Sequence, residues 1–144
     1  MNLVLDTNVL LSAFAFRGVC NELFEHCALR HRIVVSDFIL REFREKFIQT
    51  FRASEHEAVE ARRLIRFRSE RVEPAPVPKD VCRDPEDLPV LGTALSGGCV
   101  CIVTGDKDLL DIGRFRGISI VTPAGFWRFE AEGRSGSGGR PRPR

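Results

Sequence analysis

The chain has 144 residues, 43% of them hydrophobic and 29% charged, with a formal net charge of +2. This length and balance fit one globular domain with a single sizeable core. No apolar run is long enough to span a bilayer, and MNLVLDTNVL has neither a basic leader nor a long apolar stretch, so a soluble cytoplasmic protein is expected.

In chain order, NLVL reads as a short strand, followed by a helical NVLLSAFAF that breaks at Gly18. VCNELFEHCALRH places Val19, Leu23, Cys27 and His31 at i, i+4 spacing, a helical stripe. RIVVS is uninterruptedly apolar from Ile33 to Val35, which suits a strand covered on both faces. Ser36 is an N-cap candidate for DFILREFREKFIQTF. SEHE opens another helix, with Ser54 and Glu57 at capping-box spacing, running to about Arg71. The Pro-rich EPAPVPKD is an extended connector within one domain. In DPEDLPVLGTALSGG, Asp84 is a cap candidate, Pro85 opens the helix and Gly97-Gly98 close it.

CVCIV is the next strand, where Cys99 and Cys101 share a face by packing alone. With Cys20, Cys27 and Cys82 the cysteines number five, an odd count that argues for reduced thiols. His26, His31 and His56 show no ligand spacing that matches them, so zinc is not expected. A short helix near KDLLD, strand ISIV and a last helix capped by Thr122 follow. The end, GRSGSGGRPRPR, holds four arginines and no acid, leaving the rest of the chain at −2. It cannot build a core and reads as an unstructured tail over 131–144 whose charge adds at most weak affinity for RNA. Residues 1–130 form the domain, and strands alternating with helices imply a three-layer α/β/α sandwich with a mostly parallel sheet.

The acids fall at informative places. Asp6 directly follows NLVL, and Asp106 closely follows CVCIV. Residues just past parallel strands gather at the carboxyl edge, where open α/β sheets bind ligands. Glu42 lies in the second turn of its helix, between Phe38 and Ile39 at about 100° per residue, an odd wheel position for a solvated acid. Asp87 starts its helix and joins the same edge if that helix end faces it. Acids also stabilise helix starts by about 0.3–1 kcal/mol, which accounts for Asp84 and would equally account for Asp108. Four converging carboxylates, Asp6, Glu42, Asp87 and Asp106, resist ionising together. Lys107 and Arg83 are too few to neutralise them. A hard divalent cation, Mg²⁺ or Mn²⁺, meets the demand of an oxygen-only donor set, and such ions commonly act on phosphates.

Four stretches, LVLDTNVLLSAF, VVSDFILREF, CRDPEDLPVLGTAL and IVTGDKDLL with ISIVTPAGF, together resemble the PIN-domain ribonucleases, and among them the VapC-like toxins of toxin–antitoxin systems. The resemblance runs from Asn2 to about Phe129. It implies catalytic, metal-binding roles for Asp6, Glu42, Asp87 and Asp106, with Asp108 and Asp84 as auxiliary ligands. Asn8 and Thr104 would orient the carboxylates. It further implies Mg²⁺- or Mn²⁺-dependent cleavage of single-stranded RNA, a homodimer and an antitoxin partner. Lys107, Arg83 and Arg17 would contact RNA phosphates without reading sequence. Pro89, two residues after Asp87, departs from the polar residue relatives often carry there. Within the nuclease reading, housekeeping RNA processing and DNA cleavage use the same chemistry and stay open beside the toxin role, and two other readings remain open as well. Haloacid-dehalogenase-type phosphatases also start with a strand and an aspartate, but need a second aspartate where Asn8 stands. A non-catalytic PIN-like module would bind RNA or protein, yet it would be expected to have lost acids.

Overall fold

Among the described residues the four expected strands and two shorter, unexpected ones form one six-stranded sheet. The computed structural model describes residues 1–138. Strand β1 (Asn2–Leu5) leads through α1 (Thr7–Ala15) and α2 (Val19–Arg30) to β2 (Arg32–Val35). Helices α3 (Asp37–Gln49) and α4 (Glu55–Phe67) precede β3 (Ser69–Arg71). A 3₁₀ turn (Pro85–Asp87) opens α5 (Leu88–Ser96), then come β4 (Cys101–Val103), α6 (Lys107–Ile112), β5 (Arg114–Phe115), β6 (Ile118–Val121) and α7 (Pro123–Gly138). The strand order is β3-β2-β1-β4-β6-β5, and every pairing is parallel except β5 with β6.

Leu3, Val4 and Leu5 of β1, Ile33, Val34 and Val35 of β2, and all of β4 are buried. Successive strand residues point to opposite faces, so a run of buried residues means both faces are covered. Among the described residues seven helices flank the sheet in the expected α/β/α layering, with α5 against β1 and β2, and α7 against β6 and α2. Phe14, Phe24 and Phe43 interlock edge to face, joining α1, α2 and α3.

The caps explain most boundaries. Ser54 accepts from the Glu57 amide while the Glu57 carboxylate accepts from the Ser54 amide, a complete capping box. Gly98 closes α5 in the left-handed region, φ +61°, which favours glycine. Helix α4 stops at Phe67 rather than near Arg71, because Ser69–Arg71 leave the helix to pair with β2. Strand β4 starts at Cys101, so Cys99 lies before it. All five cysteines are free, and burial pushes the Cys27, Cys99 and Cys101 thiols up to about 12. Helix α7 continues through the first part of the expected tail, and 139–144 lie outside the described residues. Among the described residues no helix is long and apolar enough to cross a membrane.

Candidate metal centre

From β1 the chain goes to β2 on one side, whereas β4 lies on the other. This reversal is the topological switch point, where a crevice opens beyond the strand ends. Leu5 of β1 stands opposite Val103 of β4. The next residues in register are Asp6 and Thr104, so the fold brings them face to face. The Asp6 amide donates to the Val103 carbonyl at 2.9 Å, extending the pairing by one step. The Thr104 hydroxyl donates to Asp6 Oδ2 at 2.7 Å and accepts from the Asp106 amide at 2.9 Å. Asp6 is also the N-cap of α1, with Oδ1 accepting from the Thr7 amide at 2.7 Å. Asn8 reaches across the crevice: its Nδ2 is 3.4 Å from Asp6 Oδ2, and its Oδ1 accepts from the Gly105 amide at 3.1 Å.

Asp84 caps the 3₁₀ turn, accepting from the Glu86 amide at 3.0 Å. Asp87 occupies the N-cap position of α5 but makes no capping bond. Its carboxyl is buried and turned toward the other acids. Pro89 falls in the first turn of α5, where its missing N–H costs nothing, and the helix runs on unbroken. Ligand oxygens of Asp84, Asp87 and Asp108 lie within 4.8 Å of one another. Asp106 caps α6 through the Asp108 amide at 3.0 Å and is hydrogen-bonded to Asp87.

The electrostatics follow from this crowding. Burial, the hydrogen bond with Asp106 and the charges of Asp106, Asp6 and Asp84 push the Asp87 carboxyl up to about 8. Burial also raises Asp6, against the hydrogen bonds from Thr104 and Thr7, and the charges of Glu42 and Asp106 add to the rise. A hydrogen bond between two carboxyl groups requires a proton on one of them. A divalent cation can replace that proton and relieve the repulsion, and the donors are all hard oxygens. The residues therefore fit Mg²⁺ or Mn²⁺ on the chemistry of the donor set.

Glu42 stands near enough for its charge to act on Asp6, outside the close group of Asp84, Asp87 and Asp108. Its Oε1 accepts from the Thr7 hydroxyl at 2.6 Å, and Lys46 Nζ is 3.4 Å from its Oε2. Lys107 pairs with Asp111 at 2.9 and 3.2 Å. Arg83 is exposed and lines a hollow of about 300 Å³ with Val81, Asp108, Asp111 and Ile112. Arg17 is exposed between α1 and α2. Three participants were missed in the sequence. Thr7 and Lys46 meet Glu42, and the Cys82 thiol approaches Asp87 Oδ2 at 3.8 Å. A threonine directly after a strand-end aspartate is the one local signal that could have indicated Thr7.

A family model described as PIN domain matches residues 2–108. The chain belongs to the PIN-domain family. Among solved structures, this PIN domain is similar to a chain of the VapBC2 complex of Rickettsia felis, crystallised bound to a DNA fragment from its promoter. The match has a TM-score of 0.61 at 14% identity and covers 85% of this chain and 98% of the other. At that identity the likeness is one of fold. No curated protein matches the sequence.

Proposed function

We propose that this PIN domain is a divalent-metal-dependent endoribonuclease that hydrolyses phosphodiester bonds of single-stranded RNA. The observation that carries the reading is the crowding of Asp87 against Asp106, Asp84 and Asp108 at the switch point, beside Asp6. Asp6, Asp87 and Asp106 are the inner metal-binding and catalytic carboxylates, Glu42 completes the set, and Asp84 and Asp108 assist. Bound Mg²⁺ or Mn²⁺ supplies positive charge at the scissile phosphate and acidifies a nearby water. Thr104 holds Asp6 and Asp106 in register, and Thr7 aims Glu42. Arg83, Arg17 and Lys107 meet neighbouring phosphates. Lys107 must leave Asp111 to do so, an exposed pair that contributes little. Attack by water on phosphorus breaks the bond to the 3′-oxygen, leaving a 3′-hydroxyl and a 5′-phosphate.

The test is a labelled single-stranded RNA incubated with Mn²⁺ and either the native chain or Asp6→Asn. Cleavage is expected to fall at least a hundredfold in the variant. Equal cleavage by both would overturn the reading. A matched single-stranded DNA, left uncut, separates RNA from DNA chemistry.

The fold likeness to a VapBC2 chain supports a place in a toxin–antitoxin pair, with this chain as the cytoplasmic toxin, a homodimer held in check by an antitoxin. Expression of the native chain alone should then arrest growth, and Asp6→Asn should not.

A further inference from the structure

The sheet has a second cluster of ligand-type side chains at its opposite edge. His26 lies on α2, His31 caps the end of α2 and directly precedes β2, and Glu130 lies on α7. Each imidazole Nε2 is 2.6 Å from the same carboxylate oxygen, Glu130 Oε2. The three ligand atoms lie within 4.8 Å of one another. We infer that His26, His31 and Glu130 form a second metal site, for an ion that prefers imidazole ligands, zinc first among them.

Chemistry and packing both carry this. Two imidazoles and a carboxylate are an established three-ligand set for Zn²⁺, leaving a fourth position for water. Hard Mg²⁺ prefers oxygen, so the two centres attract different ions. The ligands are held in place. The Phe126 ring is 6.0 Å from His31 and 6.4 Å from His26, and Trp127 is 4.8 Å from His26, all centroid to centroid and edge to face. Glu130 is 6% exposed, whereas the His26 side chain is 26% exposed and gives an ion a way in. Ligands 2.0–2.1 Å from a tetrahedral ion stand roughly 3.3 Å apart, so the carboxylate must withdraw by roughly 0.7 Å, within reach of a side-chain rotation. The Met1 amine, 3.2 Å from His31 Nδ1, is exposed and can turn away when the ring proton moves to Nδ1. The site is independent of the acidic centre. Asp6 follows β1 and His31 precedes β2 in a parallel pair, and a four-residue strand rises about 13 Å. An ion here would pin α7 to α2.

Trp127 is the only tryptophan in the chain and reports on the site. The full chain, with excess Mg²⁺ to occupy the acidic centre, is titrated with Co²⁺ while tryptophan emission is recorded. Quenching should saturate at one equivalent and be reversed by Zn²⁺. It should need at least ten times more Co²⁺ in His31→Gln and in Glu130→Gln, which leave the His26–Trp127 contact in place. No quenching, or equal quenching in folded variants, would overturn the site. If either variant fails to fold, zinc X-ray absorption on the native chain decides. Two imidazoles with one or two oxygens support the site. Sulfur scattering at about 2.3 Å would place the ion on cysteine, and oxygens alone would place it in the acidic centre. Either result refutes the proposal without touching the nuclease reading.

Discussion

One hydroxyl, that of Thr104, serves two aspartates from distant parts of the chain. Replacing it with valine keeps the shape and removes both bonds, leaving the Asp106 amide without that acceptor and Asp6 Oδ2 with only the long contact from Asn8. Thr104→Val should cost about 1–3 kcal/mol in urea unfolding and at least tenfold in RNA cleavage, and Thr104→Ser should recover most of both. The residue scale is where sequence reasoning reached furthest. Asp6 and Asp106 were legible because strand ends in a parallel sheet have a known destination. Asp84 was legible as a cap because a helix start needs one. Thr7 was not, since the Thr7–Glu42 bond spans 35 residues and follows from packing rather than pattern, whereas Lys46 stands one helical turn after Glu42, a spacing the sequence does carry. The meeting of His26 and His31 at Glu130 was hidden for the same reason as Thr7. Nothing local connects His26 and His31 to a glutamate 104 and 99 positions away.

At the scale of elements, the Pro-rich connector lies on α5 at one point. The Ala75 amide donates to the Gly92 carbonyl at 3.0 Å, and a Cβ on Gly92 would meet the Ala75 carbonyl oxygen at 2.2 Å. Alanine is the better helix former by about 1 kcal/mol, yet here the connector's backbone would have to move. Gly92→Ala should therefore destabilise the fold by roughly 1–3 kcal/mol, seen as a lower urea midpoint. Because the connector leads into Asp84 and Asp87, the variant should also need more Mn²⁺ for half-maximal cleavage. Strands β3 and β5 escaped the sequence pattern. They are three and two residues long, rich in charge and arginine, and they form because β2 and β6 offer them an edge. Short, charged strands are also how natural sheets guard their edges. Strands β1, β2 and β4 carried a clear apolar signal because both their faces are covered, whereas β6 alternates buried with half-buried residues.

Over the whole molecule, the acidic centre ties stability to pH and to metal. Burial and neighbouring carboxylates raise Asp87 to about 8 and raise Asp6 as well. Between the ordinary carboxylate range and pH 8 the folded chain thus binds more protons than the unfolded one. Stability from these groups is present at low pH and declines as pH rises through that window. In chelator, the melting temperature should fall from pH 5 to pH 8. Saturating Mn²⁺ should flatten that decline, because an ion that binds only the folded state offsets the repulsion. Differential scanning fluorimetry at fixed ionic strength checks both.

The central strand has a consequence for how the protein is made. Thr104 follows Asp6 by 98 residues, so at about 5–20 residues per second roughly 5–20 s of translation separate the two halves of the crevice. A nascent chain displays Asp6 and Glu42 early, while β4, Thr104 and Asp106 are still unmade. On the nuclease reading, the polypeptide is harmless to the very message that encodes it until translation is nearly over. Ribosomes stalled before Cys99 should carry chains that cut no RNA in Mn²⁺, whereas released full-length chains from the same reaction should.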